Sequence, residues 1–255
     1  MNKTRRIALY IYLVLAGIGL QFELGDMAEK DVTLEAGRDL VLNLAVLAAF
    51  FLPFYFLIKK LAKKLSVEMI VLATALFGGA FISGWLSFAG NSLIDIINSN
   101  FIKDPAVFND WTNALTAPFA EEFFKSLTAF AALYILGRKD IQSVLIAGLS
   151  SGFGFQVIED IGYVSRVTFG GQYSGSLEAV GRIAGGLASH TLYTAVVTVG
   201  VYLLFSTAYK KYRLFGLWCV VSTVATLFGT LLSSKQSIGL TSLSVSYLPF
   251  SLLPL

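Results

Sequence analysis

Six ionisable residues sit inside stretches that are otherwise apolar enough to cross a membrane. Glu121, Glu122 and Lys125 lie in NALTAPFAEEFFKSLTAFAALYILG (113–137), Glu159 and Asp160 in the next apolar stretch, and His190 in the one after. His190 is the only histidine in the chain. A charged side chain at the centre of a bilayer costs roughly 2.5–3.5 kcal/mol on insertion scales, so such groups usually face a protein interior or a wet cavity and mark chemistry or ion movement. Carboxylates and an imidazole can activate water and protonate a leaving amine. A histidine can also stabilise an oxyanion. Together these are the requirements of peptide-bond hydrolysis. The same groups can bind zinc, which accepts imidazole nitrogen and carboxylate oxygen.

Spacing assigns work within the cluster. Glu121 and Lys125 are four residues apart and Glu122 and Lys125 three apart, so on a helix the lysine can neutralise either glutamate or both. Adjacent residues on a helix point about 100° apart. One glutamate is therefore expected to face a cavity while the other is braced by Lys125 or a neighbouring helix. Other hydrolytic patterns fail. A HExxH zinc helix needs two histidines, and no GxGD aspartyl motif occurs. Gly148–Gly152 formally reads G-x-S-x-G around Ser150, but it lies within a helix rather than at a strand-to-helix elbow.

The elements that must position these residues are membrane helices. The chain has 255 residues, of which 56% are hydrophobic and 14% charged, against about 25% charged in soluble domains; its mean hydropathy is +0.72. A crossing needs about 20 apolar residues. Seven spans are expected, near 7–22, 40–58, 69–92, 113–137, 142–164, 180–206 and 214–232, with an eighth candidate at 238–255 that contains Pro249 and Pro254. If every span crosses, twelve basic residues fall on one side, including Lys3, Arg5, Arg6, Arg138 and Lys139. Six fall on the other, including Arg182. Positive charge is retained in the cytoplasm, which places the N-terminus inside. The fold class expected is an all-α polytopic membrane protein of seven to eight transmembrane helices with a cytoplasmic N-terminus. It reads as a single integral membrane domain over 1–255 with a core near 113–206. Span 1 lacks an A-x-A-like site and is read as an uncleaved anchor. The longest polar loop is expected at 23–39, on the outside. Cys219 reads as a small buried apolar residue. The basic residues are too scattered for a nucleic-acid surface, so the partners expected are the lipid bilayer and a membrane-anchored protein substrate.

Depth ties the cluster together. Glu121 lies about nine residues, roughly 13 Å, into a span that starts outside, and His190 about ten residues, roughly 15 Å, into another. Glu159, on the span between them, lies roughly 8–12 Å from its outer end. Three consecutive spans thus bring acids and a histidine to similar depth in the outer half of the membrane. Glycines at 148, 152, 154, 181, 185 and 186 let these helices approach closely.

At these residues the chain resembles the PrsW family of bacterial intramembrane proteases. PFAEEFFK (118–125) resembles the family's EExxK helix, and GFGFQVIED (152–160) its FGxxE helix, with a longer spacing between Gly154 and Glu159. RIAGGLASHTLYTA (182–195) resembles its single-histidine helix. The family is similar to the CAAX-processing (Abi) proteases and, more distantly, to the Aph-1 subunit of γ-secretase. Those relatives carry a histidine where Glu159 stands here. The resemblance implies a multi-pass protein of the bacterial cell membrane that cuts membrane-anchored proteins, anti-sigma-factor-like regulators among them. The catalytic set expected is Glu121, Glu122, Glu159 and His190, supported by Lys125 and Asp160. Family members are described both as metalloproteases and as glutamate-type proteases. With one histidine, zinc would draw mostly on carboxylates (Glu121, Glu122, Glu159 and His190), so a metal-independent mechanism is favoured. Two other readings stand beside the protease. One is a proton-coupled transporter using the acids as a relay, which the lack of an internal repeat disfavours. The other is a proteolytically inactive scaffold or bacteriocin-immunity protein of the Aph-1 type.

Overall fold

A computed structural model of the protein describes residues 1–28, 33–170, 175–186 and 189–238. Every regular element among them is helical: α1 (Lys3–Ala28), α2 (Leu34–Lys64), α3 (Met69–Gly78), α4 (Gly84–Ser99), α5 (Pro105–Leu136), α6 (Ile141–Gly170), α7 (Gly175–Gly186), α8 (Ser189–Phe205) and α9 (Arg213–Ile238). A π-helical turn, Gly79–Ser83, joins α3 to α4, and a short 3₁₀ turn, Lys210–Tyr212, precedes α9. Six stretches are long and apolar enough to cross a membrane: α1, α2, α3–α4, α6, α7–α8 and α9. At 32 residues α5 is as long; what sets it apart is its Glu121, Glu122 and Lys125. It makes the seventh. The protein is an all-α polytopic membrane protein. The eighth candidate span, 238–255, lies outside the described residues apart from Ile238, which ends α9.

Contacts at one end of the bundle bear out the expected alternation. Arg5 Nε donates to the carbonyls of Tyr134 (3.1 Å) and Ile135 (3.0 Å) at the end of α5. Arg138 pairs with Glu68 of the α2–α3 turn, and the Tyr202 hydroxyl of α8 donates to the Lys139 carbonyl. The basic N-terminus and the basic turns therefore share one end. Asp140 caps α6 there, accepting from the Ser143 amide (2.8 Å) and hydroxyl (2.9 Å). Its carboxyl lies below the usual range. Slight burial pushes it up, and donation from Ser143 outweighs that push.

Three boundaries differ from the sequence expectation. The polar loop at 23–39 is mostly helix: α1 runs to residue 28, and Thr33 starts α2 by accepting from the Ala36 amide at 3.1 Å. Polar residues at helix ends extend helices beyond the apolar core, which hydropathy does not register. The span at 113–137 begins earlier, at Pro105, because Asp104 accepts from the Ala106 (2.8 Å) and Val107 (3.3 Å) amides. The span at 180–206 also reaches further back, with helix described from Gly175 to Gly186 (α7) and from Ser189 to Phe205 (α8).

At the centre stands α6, with 72% of its most apolar window buried against 17% for α1 and for α9. α8, α3, α5 and α2 all pack on it. Its small residues permit this. A Cβ on Gly152 would fall 2.4 Å from the His190 carbonyl oxygen, and one on Gly154, 2.1 Å from that of Leu76. Backbone therefore meets backbone on both sides of α6. Gly152→Val is expected to push α8 off α6 and lower stability by about 1–3 kcal/mol, read as a drop in melting temperature in detergent. An unchanged melting temperature would contradict the close packing.

Candidate functional site

Lys125 organises the site. It is fully buried on α5, and an ammonium has three hydrogens and no acceptor. Its three partners are Glu122 Oε1 at 2.7 Å, His190 Nδ1 at 2.9 Å and Glu121 Oε2 at 3.2 Å. The Phe155 ring covers it, with Nζ 4.2 Å from the ring centroid. Because the ammonium can only donate, His190 Nδ1 accepts. The imidazole proton then sits on Nε2, which is 3.2 Å from Glu159 Oε2. The histidine is thereby fixed in one tautomer between a lysine and a glutamate.

The two adjacent glutamates part company. Glu122 is 2% exposed. Lys125 engages its Oε1, and Thr194 Oγ1 donates to its Oε2 at 2.9 Å. One turn further, Thr198 Oγ1 donates to Ser126 Oγ at 3.1 Å, so paired hydroxyls set the register of α8 on α5. Glu121 is the more open of the two, and both line a cavity with Glu159, His190 and Ser189. That cavity, about 470 Å³, lies between α5, α6, α7, α8 and α9, with Asn91 of α4 at its edge. A second cavity of about 180 Å³, toward α1 and α4, reaches Glu121 and Glu159 from the other side. Pro118 lines the larger cavity; having no N–H, it leaves the Ala114 carbonyl without its helical donor just before the glutamates.

Glu159 and Asp160 are held by Arg182 of α7. Its guanidinium donates to Glu159, and its Nε to Asp160 Oδ1 at 2.5 Å. It also lies over the Tyr163 ring, 4.3 Å from the centroid. Asp160 is 1% exposed and faces the arginine rather than the cavity. Sequence reasoning counted Arg182 as an outer-loop charge and passed over Thr194 and Phe155. The available signals were an arginine two residues inside an expected span and a threonine one turn after the only histidine.

Measured from the basic end, Glu121 lies about 15 residues along α5, His190 about 15 along α8 and Glu159 about 18 along α6, or roughly 22–27 Å at 1.5 Å per residue. The three converge: each of Glu121, Glu159 and His190 offers a ligand atom, and these atoms lie within 4.8 Å of one another. Donor types and spacing fit a zinc-type ion, which in hydrolytic sites takes three protein ligands and leaves a position open. Glu122, expected among zinc ligands, is outside this group. Lys125 and Arg182 already supply two fixed positive charges to the same atoms.

The fold and site define a polytopic membrane protein with an acid–histidine cluster buried among its helices. The chain belongs to the PrsW family: the sequence model described as PrsW family intramembrane metalloprotease matches residues 67–253, well over half of its length. That match extends beyond the 118–195 region of motif resemblance. Membership makes the protein an intramembrane protease, with the bilayer as its surroundings and proteins as its substrates. No curated protein matches the chain, and no solved structure does.

Proposed function

We propose that the protein is an intramembrane endopeptidase that hydrolyses peptide bonds with a water held between Glu121, Glu159 and His190. The observation that carries this reading is the meeting of those three side chains on the wall of one cavity. Glu121 is the general base. It takes a proton as the water oxygen bonds to the scissile carbonyl carbon. The Nε2–H of His190 donates to the oxyanion that forms. Glu121 then returns its proton to the amine nitrogen as the C–N bond breaks. Glu159, itself braced by Arg182, orients His190 and the water. Glu122 and Lys125 are positioning residues: the lysine balances both glutamates and keeps the imidazole in its donating tautomer.

Substrates in this reading are membrane-anchored proteins cut near the extracytoplasmic side of a bacterial cell membrane, regulators of the anti-sigma-factor type among them. Lys125 supports the metal-independent form because it already occupies the cationic position among Glu121, Glu122 and His190. The family's description and the Glu121–Glu159–His190 spacing support a second form. There these three would hold a zinc-type ion, which when bound supplies Lewis-acid activation of water.

The test is purified protein reconstituted in liposomes with a single-span reporter substrate, assayed before and after chelator treatment. Cleavage that persists unchanged supports the glutamate-type form. Cleavage lost to chelator and restored by zinc supports the metal form. No cleavage of any single-span substrate, with a partner membrane protein captured instead in a stoichiometric complex, would return the scaffold reading.

A further inference from the structure

At the basic end of the bundle, about 20 Å along α5 from the acid cluster, lies a cavity of about 420 Å³. Arg5, Arg138 and Lys139 line its rim, and Phe130, Leu133 and Val144 its floor. No carboxylate lines it. Arg5 is set in place by the backbone. Its Nε caps the last carbonyls of α5, and its guanidinium fills the space that a Cβ on Gly137 would take, 2.0 Å from Arg5 Nη2. Gly137 has φ +72°, a left-handed conformation that glycine adopts without steric cost. One backbone position thus ends α5 and opens room for the arginine.

The floor of this cavity leads elsewhere. Phe130 also lines an apolar groove of about 350 Å³ between α5, α8 and α9 that runs to Pro118 and Phe119. From Phe130 to Pro118 is about 18 Å along α5, slightly more than one leaflet of a hydrocarbon core about 30 Å thick. A single acyl chain matches that length, and the basic rim at one end of the groove meets an anionic headgroup.

We propose that the basic cavity and the groove together bind one anionic phospholipid of the leaflet at the basic end, its phosphate against Arg5 and Lys139 and one acyl chain along Phe130 toward Pro118. Cationic residues between helices at this membrane surface attract anionic headgroups. The apolar floor continuous with the groove selects a lipid over a free anion. Arg138 shares its charge with Glu68, so Arg5 and Lys139 carry the contact.

The experiment uses the full chain, delipidated in neutral detergent. Phosphatidylglycerol or phosphatidylcholine of identical chains is added, and bound lipid is counted by native mass spectrometry alongside the melting temperature. One phosphatidylglycerol is expected to be retained in preference to phosphatidylcholine. Lys139→Gln, at an exposed position, is expected to weaken retention about fivefold, the worth of one basic residue near an anionic lipid. Phe130→Trp narrows the junction and keeps every charge; it is expected to reduce phosphatidylglycerol retention while the melting temperature of the lipid-free protein holds. Inorganic phosphate at millimolar concentration is expected to leave the lipid in place. Equal retention of the two lipids, retention unchanged in both variants, or displacement of the lipid by phosphate would each overturn the proposal, the last in favour of a free-anion site.

Discussion

Glu121→Gln is expected to reduce peptide-bond cleavage by roughly a thousandfold, within the range that loss of a general base produces, and to leave the melting temperature nearly unchanged. The amide keeps the shape of the carboxylate and its bond to Lys125, but it cannot take a proton from water. Lys125 retains Glu122 and His190 as partners, so no buried charge is stranded. Glu122→Ala is the matched comparison. Glu122 is 2% exposed and bonded at both oxygens, so its removal is expected to cost stability as well as activity. The measurement is initial cleavage rate in liposomes beside thermal melting for both variants. If Glu121→Gln cleaves at the wild-type rate, Glu121 is not the base. If instead Glu122→Gln alone abolishes cleavage with folding intact, the two glutamates exchange roles.

The second large effect is expected at Lys125. Lys125→Met removes the one cation that pairs with Glu122 among the described residues, and the glutamate's buried carboxylate is then left with the Thr194 hydroxyl. Removing one partner of a buried ion pair typically costs about 3–5 kcal/mol, because the other charge is left uncompensated. The same substitution takes the hydrogen bond from His190 Nδ1 and frees the imidazole to adopt either tautomer. The variant is therefore expected to melt well below the wild type and to be inactive even where it remains folded. Lys125→Met combined with Glu122→Gln removes both charges and is expected to recover much of the lost stability. Activity is expected to stay low, since the imidazole remains unanchored. Recovery of stability in the double variant, measured by thermal melting, separates the charge effect from lost packing. A Lys125→Met protein that is as stable as wild type would show that Glu122 does not depend on the lysine.

Motif and depth were readable in the residues because ionisable side chains stand out against an apolar background. EExxK on one span, Glu159 on the next and His190 on the third pointed to one site, and the structure brings those side chains within contact of one another. The membrane spans were equally plain, and the contacts of Arg5, Arg138 and Lys139 bear out the charge count that placed the basic turns together. What went unread had weaker signals. Arg182 looked like one more loop charge, because only the packing of α7 on α6 turns it inward to Glu159 and Asp160. Thr194 is an unremarkable helix residue until α8 is set in register on α5.

The sequence by itself determined the class of the molecule, the helices that cross the membrane, and the residue types able to hydrolyse a bond within it. Apolar length and charge placement are local properties, and a bilayer reads them directly. Only the tertiary structure decided which glutamate is the more open to the cavity, which three acceptors Lys125 holds and which nitrogen of His190 carries the proton. The physical reason is that lipid-facing and core-facing surfaces of a membrane helix are both apolar, so the sequence carries little pattern that fixes a helix's rotation about its axis. Packing fixes it, through close contacts such as Gly152 against the His190 backbone and through the polar bonds that Thr194 and Arg182 make across helices.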